Sequence, residues 1–316
     1  MKRVLVMGGT GFVGRHVCEK LVRAGCSVTV PTRRLANAKA VQMLPGLQAI
    51  ECSVHDGTAL AQALAGHDAV VNLVAILHGN AATFDRAHVQ LPRTLAAACA
   101  QAGVLRLVHV SALGADSQGP SLYQRSKAAG EAVLRDAGLD LTILRPSVIF
   151  GAEDKFLNTF ASLQAAAPVM PLAGAGTRFQ PVWVQDVAQA VVNALQERRS
   201  IGATYELGGP EVFTLAQLVQ IAGRCAGRAR PVINLPLAIG RLQAALMELL
   251  PGEPLMSRDN VASLSVDNVC GGQHPGLEAL GIRSAALSAV APTYLGRRGP
   301  RSALNTLRRE RIDTRR

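Results

Sequence analysis

Val4-Leu5-Val6-Met7-Gly8-Gly9-Thr10-Gly11-Phe12-Val13-Gly14 is a β-branched strand running into a glycine-rich turn, ahead of a helix that Arg15 continues. Glycines 9, 11 and 14 satisfy GxGxxG, and glycines 8, 11 and 14 satisfy GxxGxxG. Without side chains the backbone can turn tightly and let a diphosphate approach the free N–H groups and positive dipole end of a helix. A ligand-free turn can carry the same glycines. Strand, loop and helix in direct succession favour the phosphate cradle.

Outward from this loop, one pattern repeats: a short β-branched run, a turn, and an Ala/Leu-rich stretch with helical spacing. Strands are expected at 3–7, 27–30, 48–52, 69–74, 105–111 and 141–145, with helices such as 14–24 and 92–102 covering the faces. The fold class is therefore α/β, a doubly wound parallel sheet with a smaller C-terminal substrate lobe. Residues 1–146, with a returning helix in about 183–202, form the dinucleotide-binding part. Residues from about 147–182 and 203–295, including 205–209 and the helix-like 215–226 and 237–250, form the smaller lobe. Gly, Pro and Arg replace periodic hydrophobicity from Gly296, so 296–316 is expected to be a flexible basic tail.

With 316 residues, 49% of them hydrophobic and 3% aromatic, the chain can fill a core mainly with Ala, Leu and Val. The net charge of +11 belongs mostly to the tail, where eight arginines between Arg297 and Arg316 meet only Glu310 and Asp313. No aromatic follows Tyr294, so base stacking has little support and a nucleic-acid partner is not expected. The six cysteines show no CxxC pair and read as reduced core thiols, and the seven histidines show no metal spacing. No metal is expected; His109, inside the fifth strand, is read as a packed core residue. No apolar run reaches the roughly 18–20 residues of a membrane span, and the chain enters its first strand at once, which reads as cytoplasmic or else as a processed product.

Three further places carry chemistry. At the end of the second strand, NAD-selective proteins place an acid on the ribose hydroxyls, whereas this chain has Pro31-Thr32-Arg33-Arg34. Two guanidinium groups suit a 2′-phosphate, so NADP(H) is favoured over NAD(H), against the alternative of a solvated basic loop. After the third strand comes Ser53-Val54-His55-Asp56, where Asp56 either approaches adenine or caps the next helix. Ser111 ends the fifth strand, and Tyr123 and Lys127 lie four apart on one helical face. A lysine ammonium beside the phenol is expected to lower its pKa, letting Tyr123 exchange a proton with a carbonyl or alcohol while Ser111 bonds the same oxygen. The bland alternative is an exposed Tyr/Lys pair.

These residues, together with 66–74, His109-Val110-Ser111, Arg145-Pro146-Ser147-Val148-Ile149-Phe150-Gly151, 153–158 and 180–187, resemble the extended and atypical short-chain dehydrogenase/reductases over nearly the whole chain. Within them the chain looks most like the nucleotide-binding accessory subunit of respiratory complex I and its bacterial, epimerase/dehydratase-like relatives. The resemblance implies that Gly8, Gly11 and Gly14, with Thr10, Phe12 and Val13 between them, cradle the diphosphate. It also implies that Arg33 reads the adenosine phosphate and that Pro146, Ser147 and Val148 line the nicotinamide side; Thr32, Leu73, Val74 and Ala75 are expected along the cofactor, and the residue reading adds Lys127 as a ligand of the nicotinamide ribose. The expected partners are a small-molecule substrate and a membrane-associated respiratory or quinone-pathway protein, with a peripheral place at the inner membrane. Residues 237–250 are apolar on more than one face; a helix buried in the smaller lobe is expected ahead of a surface-docking one.

Overall fold

A computed structural model describes residues 2–249 and 254–295; the basic tail expected at 296–316 and the end of the 237–250 segment lie outside them. The first half alternates strands β1 (Arg3–Met7), β2 (Ser27–Thr32), β3 (Leu47–Glu51), β4 (Ala69–Asn72), β5 (Arg106–Val110) and β6 (Asp140–Pro146) with helices. The helices are α1 (Phe12–Arg23), α2 (Gly57–Leu64), α3 (Ala81–Asp85), α4 (Leu91–Ala102) and α5 (Leu122–Arg135). A π-helical turn, Arg86–Gln90, joins α3 to α4. All six expected strands are present within a few residues of their expected ends.

The alternation of side chains along a strand divides the core. Val4 and Val6 of β1 point into a cluster with Val17 and Leu21 of α1, while Leu5 and Met7 point into another with Leu60, Leu64, Leu91 and Leu95. Both faces are thus covered, which explains central strands such as β1 and β4, apolar on both sides. The helix α7 (Val184–Gln196) adds Val187, Ala188 and Val191 to the first cluster, as its expected return to the sheet requires.

In the second half, β7 (Ile149–Phe150) pairs in parallel with β10 (Val182–Trp183), and β8 (Met170–Ala173) with β13 (Val232–Leu235). The strands β9 (Arg178–Phe179) and β12 (Phe213–Thr214) pair antiparallel. Helices α6 (Leu157–Ala166), α8 (Leu215–Cys225), α9 (Leu237–Glu248), α10 (Arg258–Ser263) and α11 (Leu287–Leu295) accompany them. Segment 205–209, expected in the smaller lobe, instead supplies β11 (Thr204–Leu207), which pairs in parallel with β6. Residues Tyr205 and Leu207 are buried in the cluster under α1 and α7, which holds them on the main sheet. The seven-stranded order among the described residues is β11-β6-β5-β4-β1-β2-β3.

Two other expectations need correction. Helix α9 buries only Gly240 and Ala244 and leaves Ile239, Leu242 and Leu246 exposed, rather than being sunk in the lobe. Its contact runs through Gly240, which abuts Ala173 so closely that a Cβ would collide with the alanine methyl. The cysteines are free, but only Cys18, Cys26 and Cys99 are core residues; Cys52, Cys225 and Cys270 are half-buried.

Two substitutions gauge the scaffold by chemical denaturation. Leu107→Ala, fully buried in β5, should cost about 2–5 kcal/mol through its cavity. Asp56→Ala, which removes a helix cap, should cost about 1 kcal/mol.

Candidate functional site

The strands β1 and β4 are neighbours, and the chain leaves them toward opposite edges of the sheet, so a crevice opens at their carboxyl ends. The glycine loop forms one wall. Gly8 has φ +79°, and a Cβ there would lie 3.2 Å from the Leu73 carbonyl carbon and 3.3 Å from Val74 N. At Gly14 a Cβ would collide with the Gly8 carbonyl oxygen. Gly11 is extended and offers no side-chain cap to α1, in contrast to α2, α5 and α8, which are capped by Asp56, Ser121 and Thr214. The first N–H groups of α1, beyond the half-buried Thr10, Phe12 and Val13, are open to an anion. The residues present therefore fit a dinucleotide diphosphate.

At the end of β2 the Thr32 hydroxyl donates to the Arg34 carbonyl (3.1 Å), so Thr32 shapes the turn, while Arg33 and Arg34 are exposed. Asp56 caps α2: Oδ1 accepts from Thr58 N (3.0 Å) and Ala59 N (3.1 Å). Nearby, the pKa of His55 is lowered by burial and by the charges of Arg86 and Arg33, marking a positive corner that includes an arginine the sequence reading passed over.

At the other end of the crevice, Ser111 follows β5 with its Oγ buried, without a well-formed hydrogen bond among the described residues but near enough to the Glu131 carboxylate to favour its charge. Lys127 is buried and donates from Nζ to the Val110 carbonyl (3.0 Å), which brings Lys127 beside Ser111. Burial lowers its pKa to about 8, with Glu131 pulling the other way. Tyr123 lies one turn earlier on α5, its ring edge-on to Phe84 (6.1 Å) and His88 (5.6 Å). The expected depression of its phenol by Lys127 is not found: burial pushes it up to about 12. The ammonium is engaged by a main-chain carbonyl and attracted by Glu131, so it does not offset the phenolate's loss of water.

On the far wall, Pro146 closes β6 opposite Leu207. The Ser147 hydroxyl donates to Asn268 Oδ1 (2.6 Å), so it braces the 268 segment, and the Val148 carbonyl accepts from Val182 N. On the fourth strand's loop, Leu73 and Val74 are half-buried and Ala75 is exposed.

Several residues that shape the site escaped the sequence reading. Glu131 is buried and accepts two bonds from Arg145 (Nε–Oε1 2.9 Å, Nη2–Oε2 2.6 Å) and one from Arg135. Burial works against its charge, but the bonds from Arg145 and the nearby Ser111 hydroxyl prevail and hold the carboxyl below its ordinary range. Its position four residues after Lys127 on the same stripe was a usable signal. Asp259 reaches the start of α5, accepting from Leu122 N (2.6 Å) and Tyr123 N (3.1 Å), and nothing in the sequence pairs residues so far apart. Asn72 Oδ1 accepts from Val74 N (3.1 Å), and its amide is 3.1 Å from Nδ1 of His109, which is buried in the core as expected.

Comparison with known proteins agrees with this arrangement. Residues 4–208 match the model of the NAD dependent epimerase/dehydratase family. The chain is 34% identical over 299 residues, 92% of this chain and 79% of the relative, to the mitochondrial NADH dehydrogenase [ubiquinone] 1 alpha subcomplex subunit 9 of Mus musculus. Among solved structures, dTDP-glucose 4,6-dehydratase from Streptomyces venezuelae with NAD bound superposes with TM-score 0.72 at 25% identity, covering 93% of this chain and 95% of that one. The NADPH-dependent quinone oxidoreductase of Escherichia coli shares the fold with TM-score 0.74 at 21% identity, over 92% and 99% of the two chains. The glycine corner, the parallel sheet and these matches together make the chain a member of the NAD dependent epimerase/dehydratase family of extended short-chain dehydrogenase/reductases.

Proposed function

We propose that this chain binds NADP(H) and acts as an oxidoreductase or epimerase/dehydratase-type enzyme on a small carbonyl or alcohol substrate. The observation that carries the reading is the convergence of the buried Ser111 hydroxyl with Lys127 at the carboxyl end of β5, one turn from Tyr123. When bound, the nicotinamide supplies or accepts the hydride. Ser111 Oγ, which has no well-formed hydrogen bond though Glu131 is near, would donate to the substrate oxygen. With its pKa near 12 the Tyr123 phenol holds its proton at neutral pH, which suits donation to a carbonyl oxygen in the reducing direction. Lys127 would turn from the Val110 carbonyl to the nicotinamide ribose. Leu73, Val74 and Ala75 flank the cofactor, and Pro146 to Val148 close its nicotinamide side. The substrate pocket lies between residues 1–146 with 183–202 and the lobe from 147–182 and 203–295, less the sheet strand β11.

For the adenosine end, Arg33 and Arg34, with Thr32 shaping their turn, face the 2′-phosphate, and Asp56 contributes the cap beneath. Arg86 adds to the same positive corner. Arg33→Ala should weaken NADPH binding by roughly 10- to 100-fold, the value of a charged hydrogen bond, and NADH binding far less. Equal losses in fluorescence titrations would sink the NADP preference.

A second reading follows from the mouse relative: a non-catalytic accessory or assembly factor, peripheral to a membrane, serving respiratory complex I or quinone metabolism. No helix among the described residues is long and apolar enough to cross a membrane. The two readings separate when nucleotide is released from the purified protein, identified, and its redox state followed on adding quinones or small carbonyl compounds. Turnover that falls at least 100-fold in Tyr123→Phe supports the enzyme; a nucleotide that never exchanges, with function intact in that variant, supports the accessory role.

Lys127 gives a stability test that needs no substrate. Its folded pKa near 8 lies below the ordinary 10.5, so between those values the unfolded chain holds more protons and stability rises with pH. Below pH 8 both states are charged and the slope vanishes. Urea midpoints from pH 7 to 11 should show this rise in the wild-type chain relative to Lys127→Met, and parallel curves would contradict the buried ammonium.

A further inference from the structure

We propose that His88 is a positioning residue that ties the loop carrying Leu73, Val74 and Ala75 to the helix carrying Tyr123 and Lys127, so that cofactor loop and proton donor hold one fixed relation. The inference rests on the reading of those two elements as the nucleotide loop and the proton-donor helix, and it adds a residue to which no role has so far been given.

The geometry is a two-ended clamp. His88 is buried; its Nε2 accepts from Ile76 N (3.1 Å), and its Nδ1 is 2.8 Å from Ser126 Oγ. The tautomer follows from these partners. An Nε2 that accepts an N–H bond carries no proton, so in the neutral ring Nδ1–H donates to Ser126. Ser126 Oγ in turn donates to the Tyr123 carbonyl (2.9 Å). A continuous chain runs from the Ile76 amide through the imidazole and the serine to the main chain of Tyr123. Protonation would set a second donor against the Ile76 amide, and burial keeps the ring neutral, with a pKa of about 3.

Backbone packing fixes the same residue from behind. His88 sits in the π-helical turn Arg86–Gln90, a local departure from α geometry that often marks functional positions. Its carbonyl presses on Gly130 of α5, where a Cβ would collide with it. Gly130 and Ser126 are one turn apart on α5, so main chain and side chain of His88 grip one stripe of that helix. The imidazole also stands edge-on to the Tyr123 ring, 5.6 Å between centroids at 82°. At the loop end, Leu73 and Val74 lie against Gly8, so the clamp reaches the phosphate-binding turn.

The test uses the full chain with NADPH as probe, reading its fluorescence titration and the hydrogen exchange of the Ile76 amide. His88→Phe keeps a ring beside Tyr123 but removes both hydrogen bonds; it should accelerate Ile76 exchange and weaken NADPH binding, each by roughly tenfold. His88→Gln can still accept from Ile76 and should recover most of both. Should the Phe variant fold poorly, His88→Asn replaces it, because its shorter amide reaches Ser126 and not Ile76. Exchange at Ile76 must then be faster in the Asn than in the Gln variant. Unchanged Ile76 exchange in the Phe variant, or equal exchange in the Asn and Gln variants, overturns the clamp. A wild-type chain that binds no NADPH while Ile76 exchange follows the expected order supports the clamp and removes the cofactor reading instead.

Discussion

Gly14 packs on the carbonyl of Gly8 with no room for a methyl group, and the rest of the site depends on that contact. It brings the start of α1 down onto the end of β1, so the uncapped N–H groups of the helix are aimed into the crevice at the sheet's centre. Helix α1 then lies on the sheet close enough for Val17 and Leu21 to share a core with Val4, Val6 and Val191 of α7. A side chain at Gly14 would lift the helix and take its dipole out of register with the crevice. The constraint at Gly8 works from the other side, holding the loop after β4 against the same turn. Binding chemistry and core packing are set by the same few atoms.

The end of the crevice that carries Tyr123 is built on buried charge. Glu131 and Lys127 are both almost wholly removed from water one turn apart on α5, and Arg145 reaches from β6 to complete the group. Such an arrangement is a poor source of net stability, since desolvation offsets much of the attraction. What it supplies is position. The two bonds from Arg145 pin α5 to β6, so the helix cannot slide or rotate without stranding the Glu131 charge. Tyr123 inherits that placement. A phenol raised to about 12 and an ammonium lowered to about 8 are consequences of the same dry environment.

The parts legible in the sequence were those encoded locally. Strands β1 to β6, the glycine turn and the helical Tyr123 and Lys127 stripe each follow from residues within one or two turns of one another. The strand β11 was misplaced because Tyr205 and Leu207 look the same in a lobe strand as in a sheet edge, and only the pairing with β6 tells them apart. The phenol's pKa was misjudged for a similar reason: spacing shows that Tyr123 and Lys127 share a face, but not that a carbonyl at Val110 takes the ammonium. Glu131 could have been found, since an acid on a lysine's stripe within an otherwise apolar face demands a partner. The placement of His88 could not, because the π turn at Arg86–Gln90 alters the helical phase on which any periodicity argument relies.

The smaller lobe is more than a cover for the crevice. From its helix α10, the Asp259 carboxylate bonds the main-chain N–H groups of Leu122 and Tyr123, adding a second acceptor to the Ser121 capping box at the start of α5. A negative charge there interacts favourably with the helix dipole, and it comes from a segment whose neighbour, Asn260, touches the Leu77 carbonyl beyond the cofactor loop. Both walls of the crevice at the Tyr123 end therefore have an attachment to α10. Moving that segment would uncap the start of the helix that carries Tyr123, so the smaller lobe and the placement of the phenol are not independent features. Substitutions in α10 that leave every crevice side chain intact can still reach Tyr123 through its own backbone.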